Sequence, residues 1–360
     1  MIKRILRIVN LLFALLLVGV YAGAFIRPEA APHLSLFSYL YPLLLLVNAV
    51  FCLIWLFWKP IYIILPLAAI LAGWDYIPRL IGTSSGETAS GNSLKIITYN
   101  VENFTHEVQN TAELKQRNMD SITAVIKKEN PDIVCFQEYT ASKKGQHSIH
   151  RILTRELGYE HFFAPLDSKH GVYGSVIYSK KPILRSGCPF PMKEEYHSFA
   201  FADIKNGKDV VRVYNIHLVS YKIVDEEKNE VGTLTKGKIP NKETSLRVKD
   251  KLIEANKKRS VETREMIELL QQTKQNYLVA GDFNSTPYSY TYREFAKLAN
   301  DSFRQAGKGL SGTYNGPLPA FRIDYIFCNQ NLKATSYRVG DYLYSDHKPV
   351  IVEFEPKKEK

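Results

Sequence analysis

The stretch YLVAGDFNSTP, Tyr277–Pro287, decides how the rest of the chain is read. Four strand-forming residues, Tyr277 to Ala280, run straight into Gly281-Asp282-Phe283-Asn284, so an acid and an amide bracket an aromatic. Side chains of an extended segment alternate between faces. Asp282 and Asn284 therefore point one way and Phe283 the other, into packing. A carboxylate beside a carboxamide at a strand's end suits a metal ion or a phosphate. The same residues suit a plain turn, because Gly, Asp, Asn, Ser and Pro are turn formers. Taken alone, the stretch leaves both readings open.

Working outward, strand-like and helix-like runs alternate over residues 94–360. Leu94–Val101, Ile133–Gln137, Gly174–Ser179, Val210–Leu218, Arg322–Cys328 and Val350–Phe354 read as further strands. Glu113–Glu129 and Lys257–Thr273 read as amphipathic helices, the first stopped by Asn130-Pro131. Several strands end in polar groups that a packed sheet does not bury without partners. KIITYNVENF (95–104) carries Asn100 and Glu102 two apart, and DIVCFQEY (132–139) ends at Gln137-Glu138. VYNIHL (213–218) puts Asn215 and His217 on one face. RIDYIF (322–327) offers Asp324, and YSDHKPVIVEF (344–354) places Asp346-His347 just before a strand. Each of these alone has a plain reading as a solvated acid, a satisfied histidine or a turn.

The first 78 residues differ from the rest. They are apolar, with Lys3, Arg4, Arg7, Arg27 and Lys59 against Glu29 and Asp75. Residues 8–25, 36–58 and 61–77 are expected as three transmembrane spans, the second about 23 residues long, where a bilayer needs roughly 20. The third, with Pro66 and Asp75, is the least regular. Basic residues before the first span place the N-terminus in the cytoplasm, so three crossings leave the remainder periplasmic or otherwise extracytoplasmic. Ala22-Gly23-Ala24 also has the small-residue form of a cleavage site; loss of the first stretch leaves a hairpin with the same outcome. Residues 79–93, rich in Gly and Ser, read as a flexible linker to one domain over 94–360.

In chain order, TYNVE, QE, the NxH strand, GDFN, RIDYIF and SDHKP resemble the endonuclease/exonuclease/phosphatase superfamily of deoxyribonuclease I and the apurinic endonucleases, which also holds sphingomyelinases and inositol polyphosphate 5-phosphatases. The resemblance covers about 94–355. It implies an α/β (α+β) four-layer sandwich, two packed mixed β-sheets flanked by helices, with the active site where strand ends from both sheets converge. It implies Glu138 as main metal ligand, with Asn100, Glu102 and Asp346 completing the shell. Asp282 is then the base for water, and Asn284, His217, His347 and Asn215 hold phosphate, with Asp324 fixing His347. Glu102 stands where some members have Asp. Oxygen donors of this kind suit Mg2+, with Mn2+ also acceptable.

The implied chemistry is phosphodiester hydrolysis next to a lipid bilayer. Residues 79–360 hold 42 basic and 34 acidic residues, an excess of 8. The connection 219–258 is a long basic insertion, with nine Lys and Arg between Val231 and Arg259. It reads either as a solvated loop or as an electrostatic arm that draws in a polyanion. A nuclease is therefore favoured over an enzyme of lipid head groups or small phosphate esters, with a non-catalytic domain as the remote third reading. No protein partner is evident. The four cysteines form neither a zinc spacing nor an even disulfide framework.

Overall fold

The computed structural model describes residues 2–84, 86, 93–105, 112–141, 148–168, 171–190, 198–233, 237, 240–316 and 321–357. Along the chain its strands are β1 (Gly82–Thr83), β2 (Leu94–Asn100), β3 (Ile133–Ala141), β4 (Glu160–Ser168), β5 (Gly171–Ser179), β6 (Ile183–Gly187) and β7 (Ser198–Asn206). They continue as β8 (Asp209–His217), β9 (Asn276–Asp282), β10 (Asn300–Asp301), β11 (Lys308–Gly309), β12 (Asp324–Cys328), β13 (Leu332–Val339) and β14 (Val350–Pro356). The helices are α1 (Ile2–Phe25), α2 (Tyr41–Trp58), α3 (Ile64–Ala72), α4 (Ile77–Leu80) and α5 (Ala112–Glu129). Then follow α6 (Ser148–Arg151), α7 (Asp225–Gly232), α8 (Lys242–Gln272), α9 (Tyr290–Leu298) and α10 (Ser302–Ala306).

The strands are apolar on both faces, as strands sandwiched between layers must be. In β9, Leu278 and Ala280 face the opposite sheet while Tyr277 and Val279 face helices. In β3, Ile133 and Cys135 look inward and Val134 and Phe136 outward. Two six-stranded sheets result, ordered β13-β14-β2-β3-β5-β4 and β10-β12-β9-β8-β7-β6. The shared core lies between them. The outer face of the first packs on α5 through Met119, Ile122 and Ile126, and that of the second on α8 and α9 through Met266, Leu270 and Phe295. This is the expected four-layer sandwich of two mixed sheets.

One pair in each sheet is parallel: β2 with β3, joined through α5, and β8 with β9, joined through α7 and α8. Their C-terminal ends lie at the same edge of the sandwich. β12 is antiparallel to β9, so its first residue, Asp324, is level with Asp282 and His217 across the sheet. The seven strands expected from sequence are all present. β4, β6, β7 and β13 were not anticipated.

The N-terminal module departs from the expected spans. Lys3–Phe25 and Tyr41–Trp58 are long and apolar enough to cross a membrane, whereas Pro60–Ala72 and Trp74–Leu80 form a pair bent by 57°. Residues 36–40 are not part of the second span. Leu34–Tyr39 is a 3-10 turn whose serines bond back to the chain, Ser35 Oγ to Pro32 O and Ser38 Oγ to Ser35 O.

The expected flexible linker, 79–93, is also corrected at its start. Arg79 is buried and donates to Pro287 O at 3.1 Å, and β1 pairs with β11. Residues 85 and 87–92 lie outside the described residues. The module lies against the sandwich through ion pairs Asp75–Arg304 (2.6 Å) and Glu29–Arg264 (2.8 Å), and through Tyr41 and Tyr76 on Tyr288. The basic insertion is corrected too: its described part is mostly helix. α8 begins at Lys242 behind an Asn241 cap whose Oδ1 accepts from Glu243 N at 2.8 Å, fifteen residues before the expected start.

Gly281 allows β8 and β9 to approach at the site. Its φ is +146°, and a Cβ there would lie 1.9 Å from Ile216 O. Gly281→Ala is expected to destabilise the protein by about 2–4 kcal/mol through clash and backbone strain. Gly207→Ala, where φ is +66° and no atom lies within 4 Å of the added carbon, is expected to cost about 1 kcal/mol. Thermal unfolding of the full chain in detergent checks the difference; equal shifts would refute the close-approach argument.

Candidate active site

The sequence places chemistry at strand ends, and the sandwich brings those ends together. β2 delivers Asn100, β3 Glu138, β8 His217, β9 Asp282, and β12 Asp324. The turn before β14 delivers Asp346 and His347. Asn100 Nδ2 donates to Glu138 Oε1 at 3.0 Å and to Asp282 Oδ2 at 3.1 Å, joining carboxylates from opposite sheets. His217 Nε2 is 3.7 Å from both Glu138 Oε1 and Asp282 Oδ2. His347 Nε2 approaches the same Asp282 oxygen at 3.7 Å, and its Nδ1 is 2.9 Å from Asp324 Oδ2. Asp282 Oδ1 accepts from Asn284 N at 2.8 Å. Residues scattered between 100 and 347 therefore surround one carboxylate.

The backbone is bent to achieve this. A register shift between Phe136 and Tyr139 opens the β3–β5 ladder, and Glu138 adopts φ +50°. A bulge of this kind re-aims a side chain that strict alternation would send elsewhere. Glu102 (φ +45°) and Asn284 (φ +49°) are left-handed as well. β2 ends at Asn100, so Glu102 lies in the following turn, where its Oε2 accepts from Asp346 N at 2.9 Å. Asn284 Nδ2 donates to Leu218 O at 3.0 Å and reaches Asp282 Oδ2 at 3.3 Å. Phe283 is buried against Phe295 and Tyr325, as the alternation required.

Charge accumulates in a cluster whose inner members, Asp282 and Asp324, are fully buried while Glu138 and Asp346 keep part of their exposure. Burial, with Asp346 and Asp282 beside it, pushes Glu138 up to about 7. Burial also raises Asp282, although His347 opposes the shift. For His347, burial disfavours the cation, but Asp324 and Asp282 outweigh it and its pKa is well above the ordinary value. A pocket that strains to ionise clustered carboxylates is one that a cation completes.

The oxygen donors of Glu138, Asn100 and Asp346, with Glu102 holding the Asp346 backbone, fit a hard divalent ion. Asp282, Asp324 and His347 form a second grouping, their ligating atoms within 4.8 Å of one another. Among the described residues the two groupings share one pocket, with His217 and Asn100 between them.

One assigned residue does not belong. Asn215 was expected to hold phosphate, yet it is fully buried. Its Nδ2 donates to Phe136 O (2.9 Å) and Val176 O (3.0 Å), and its Oδ1 accepts from Gln137 Nε2 at 2.6 Å. It is a bridge between sheets with no group left for a ligand. Sequence reading also missed Lys228, whose Nζ lies 3.6 Å from Asp346 Oδ2, and Tyr221, whose hydroxyl bonds to Asn284 O. Both come from the insertion, and nothing in their local sequence marks them.

The sequence model described as endonuclease/exonuclease/phosphatase family matches residues 97–347. The chain belongs to this family. Membership makes it a phosphoesterase of a divalent-metal-dependent class. A family described as a domain of unknown function matches residues 3–80. Solved structures agree on the fold. An endonuclease/exonuclease/phosphatase from Bacteroides vulgatus is 18% identical with a TM-score of 0.52, over 74% of this chain and 99% of that one. One from Beutenbergia cavernae is 19% identical, TM-score 0.51, over 74% and 72%. The human Nocturnin catalytic domain with bound sulfate anion is 17% identical, TM-score 0.50, over 74% and 94%. No curated protein matches the chain.

Two substitutions separate catalytic from structural polar groups in this phosphoesterase. Asp282→Asn is expected to lower turnover by about 10²–10⁴-fold, the usual worth of a general base, with unfolding temperature held. A loss under about fivefold would remove Asp282 from that role. Asn215→Ala strands Gln137 and two carbonyls, and is expected to cost about 1–3 kcal/mol of stability. A fall in turnover at unchanged stability would instead return Asn215 to the phosphate.

Proposed function

We propose that the chain is a membrane-anchored, divalent-cation-dependent phosphodiester hydrolase whose substrate is a lipid head group at the bilayer surface. The carrying observation is the position of the turn between the two apolar helices. Ser38 O accepts from Thr286 Oγ1 at 3.3 Å, and Tyr39 meets Tyr221, which bonds to Asn284. The pocket therefore stands two side chains from the membrane-facing end of the anchor. A site so held meets lipid phosphoesters at high effective concentration.

The residues divide the work as follows. Asp282 orients and deprotonates the attacking water, its carboxylate fixed by Asn100, Asn284 and the two histidines. Asn284 and His217 hold phosphoryl oxygens. His347, kept protonated by Asp324, neutralises developing charge and protonates the leaving oxygen. Mg2+ held by Glu138, Asn100 and Asp346, or Mn2+ in its place, supplies the charge that lets an anionic ester enter an acidic pocket.

Topology follows from charge. Lys3 lies over Trp58, and Arg7 and Lys59 over Tyr62, so the basic end of the anchor is opposite the catalytic domain. The positive-inside rule then favours an extracytoplasmic catalytic domain.

Nucleic acid, the reading favoured from sequence, becomes the second one, supported by the excess of 8 positive charges from residue 79 onward. The insertion supports it less than its composition implied. Arg247 and Lys251 pair with Glu227, Lys249 with Asp250 and Lys257 with Glu254, and Arg259 is buried. Charges already paired release few counterions.

The full chain in detergent or vesicles is tested with sphingomyelin, phosphatidylcholine and phosphoinositide vesicles, and with DNA and RNA. Expected are head-group release in Mg2+, its loss on chelation, and recovery with Mg2+ or Mn2+. Salt-sensitive nucleic-acid cleavage with every lipid untouched would overturn the lipid assignment.

A further inference from the structure

The loop after Asp282 is gripped by Tyr221 of the insertion and Arg259 of α8, and Tyr221 in turn meets Tyr39 of the membrane module. Asn284 is left-handed, and its carbonyl accepts the hydroxyl proton of Tyr221. Tyr221 has only that proton to give. Its oxygen is 3.1 Å from Arg259 Nη1 and 2.9 Å from the Tyr39 hydroxyl. With the Tyr221 proton committed to a carbonyl, only the Tyr39 proton can bridge the two hydroxyls, and that single proton is shared between Tyr221 Oη at 2.9 Å and Asn256 Oδ1 at 3.1 Å.

Tyr39 is held in turn. Its hydroxyl lies 3.1 Å from Asn256 Oδ1, and Asn256 Nδ2 donates to Ser35 Oγ at 2.9 Å. Arg259 makes no ion pair among the described residues. Its guanidinium lies 4.2 Å over the Tyr221 ring and donates to Ser285 Oγ at 2.9 Å, so it clamps the residue next to Asn284.

We infer that the turn between the first two membrane helices is part of the active-site scaffold, with Tyr39 as a positioning residue that sets Asn284 through Tyr221. The turn does more than hold two modules together. It fixes the carbonyl of a strained residue whose side chain must stay against Asp282 Oδ2. Left without that anchor, a left-handed Asn relaxes toward ordinary φ and its amide leaves the pocket. The catalytic site of the sandwich is thus incomplete without residues 35–39. The inference rests on the proposed phosphate role of Asn284 for its kinetic consequence, but not for its structural one.

The test uses the full chain in detergent with Mg2+ and bis(p-nitrophenyl) phosphate as probe. Tyr39→Phe is expected to lower kcat about three- to tenfold with KM held, the worth of one hydrogen bond. Tyr221→Phe is expected to lower it by about tenfold or more, since it removes the donor itself. Arg264→Gln breaks the Glu29 ion pair at the same interface without touching this chain of bonds, and is expected to leave kcat unchanged.

On an Asn284→Ala background, Tyr39→Phe is expected to have no further effect, whereas a merely structural role would lower kcat on both backgrounds. Hydrogen exchange supplies a readout independent of activity. Amides of 283–290 are expected to exchange faster in Tyr39→Phe and unchanged in Arg264→Gln. Unchanged exchange in Tyr39→Phe overturns the inference whatever the kinetics, as does an equal kcat loss on both backgrounds. A wild-type chain inert toward every phosphoester sinks the functional reading and leaves exchange to decide this one.

Discussion

A single amide proton pair holds the two halves of this enzyme in working register. Asn100 Nδ2 donates across the sandwich to Asp282 while also donating to Glu138 beside it. The interface between two apolar sheets tolerates sliding, since methyl groups pack in many registers. A directional bond between buried groups does not. Beneath it, Gln137 and Asn215 repeat the device at 2.6 Å. Together they form a polar seam that begins in the core and opens into the pocket. At the core end the Asn215 amide and Gln137 Nε2 are satisfied by protein, and the open end is left for ligand.

That division explains where strain is tolerated. Glu102, Glu138 and Asn284 all adopt positive φ, and each is a polar residue at the rim of the seam. Such conformations cost about 1–3 kcal/mol each and persist only when the surroundings over-determine them. The surroundings do so here. Ser345 bonds to Asn100 O at 2.8 Å, Asp346 N to Glu102, and Tyr221 to Asn284 O. Each strained residue carries a carboxylate or amide that ordinary alternation would have turned away from its neighbours.

The residues that the structure brings together were legible because strand ends punctuate sequence. A polar residue directly after an apolar run has few structural reasons to be there, and Glu138, Asp282 and His347 all have that form. Asn215 misled for the same reason. It shares a face with His217, and no local signal distinguishes an amide spent on two carbonyls from one offered to a ligand. β4, with Pro165 in its middle, and β13, an edge strand with Lys333 and Arg338, lack the continuous apolar run that made the central strands readable. Residues 36–40 were absorbed into a span because the serines and tyrosines of a docking turn are too few to break an apolar window. Lys228 and Tyr221 act only through tertiary placement, which periodicity does not encode.

The electrostatics of the pocket constrain the order of events. Glu138, Asp282, Asp324, Asp346 and Glu102 converge within bonding distance of one another or of shared partners, against His217, His347 and Lys228. An anionic ester does not enter such a cluster on its own, because like charges at these separations in a largely buried site repel by several kcal/mol. The raised pKa values of Glu138 and Asp282 express the same conflict within the protein. Glu138, Asn100 and Asp346 would hold a divalent cation on one side, where its charge would favour the ionised form of Glu138 and balance that of a phosphate. On the other side, Arg259, which makes no ion pair among the described residues, places its guanidinium behind Ser285, one residue from Asn284. Buried charge of that kind is costly unless something answers it. Tyr221 and Ser285 accept from Nη1 without neutralising the charge, while Nη2 is buried with no partner among the described residues, so the cation keeps its field beside the loop that carries Asn284.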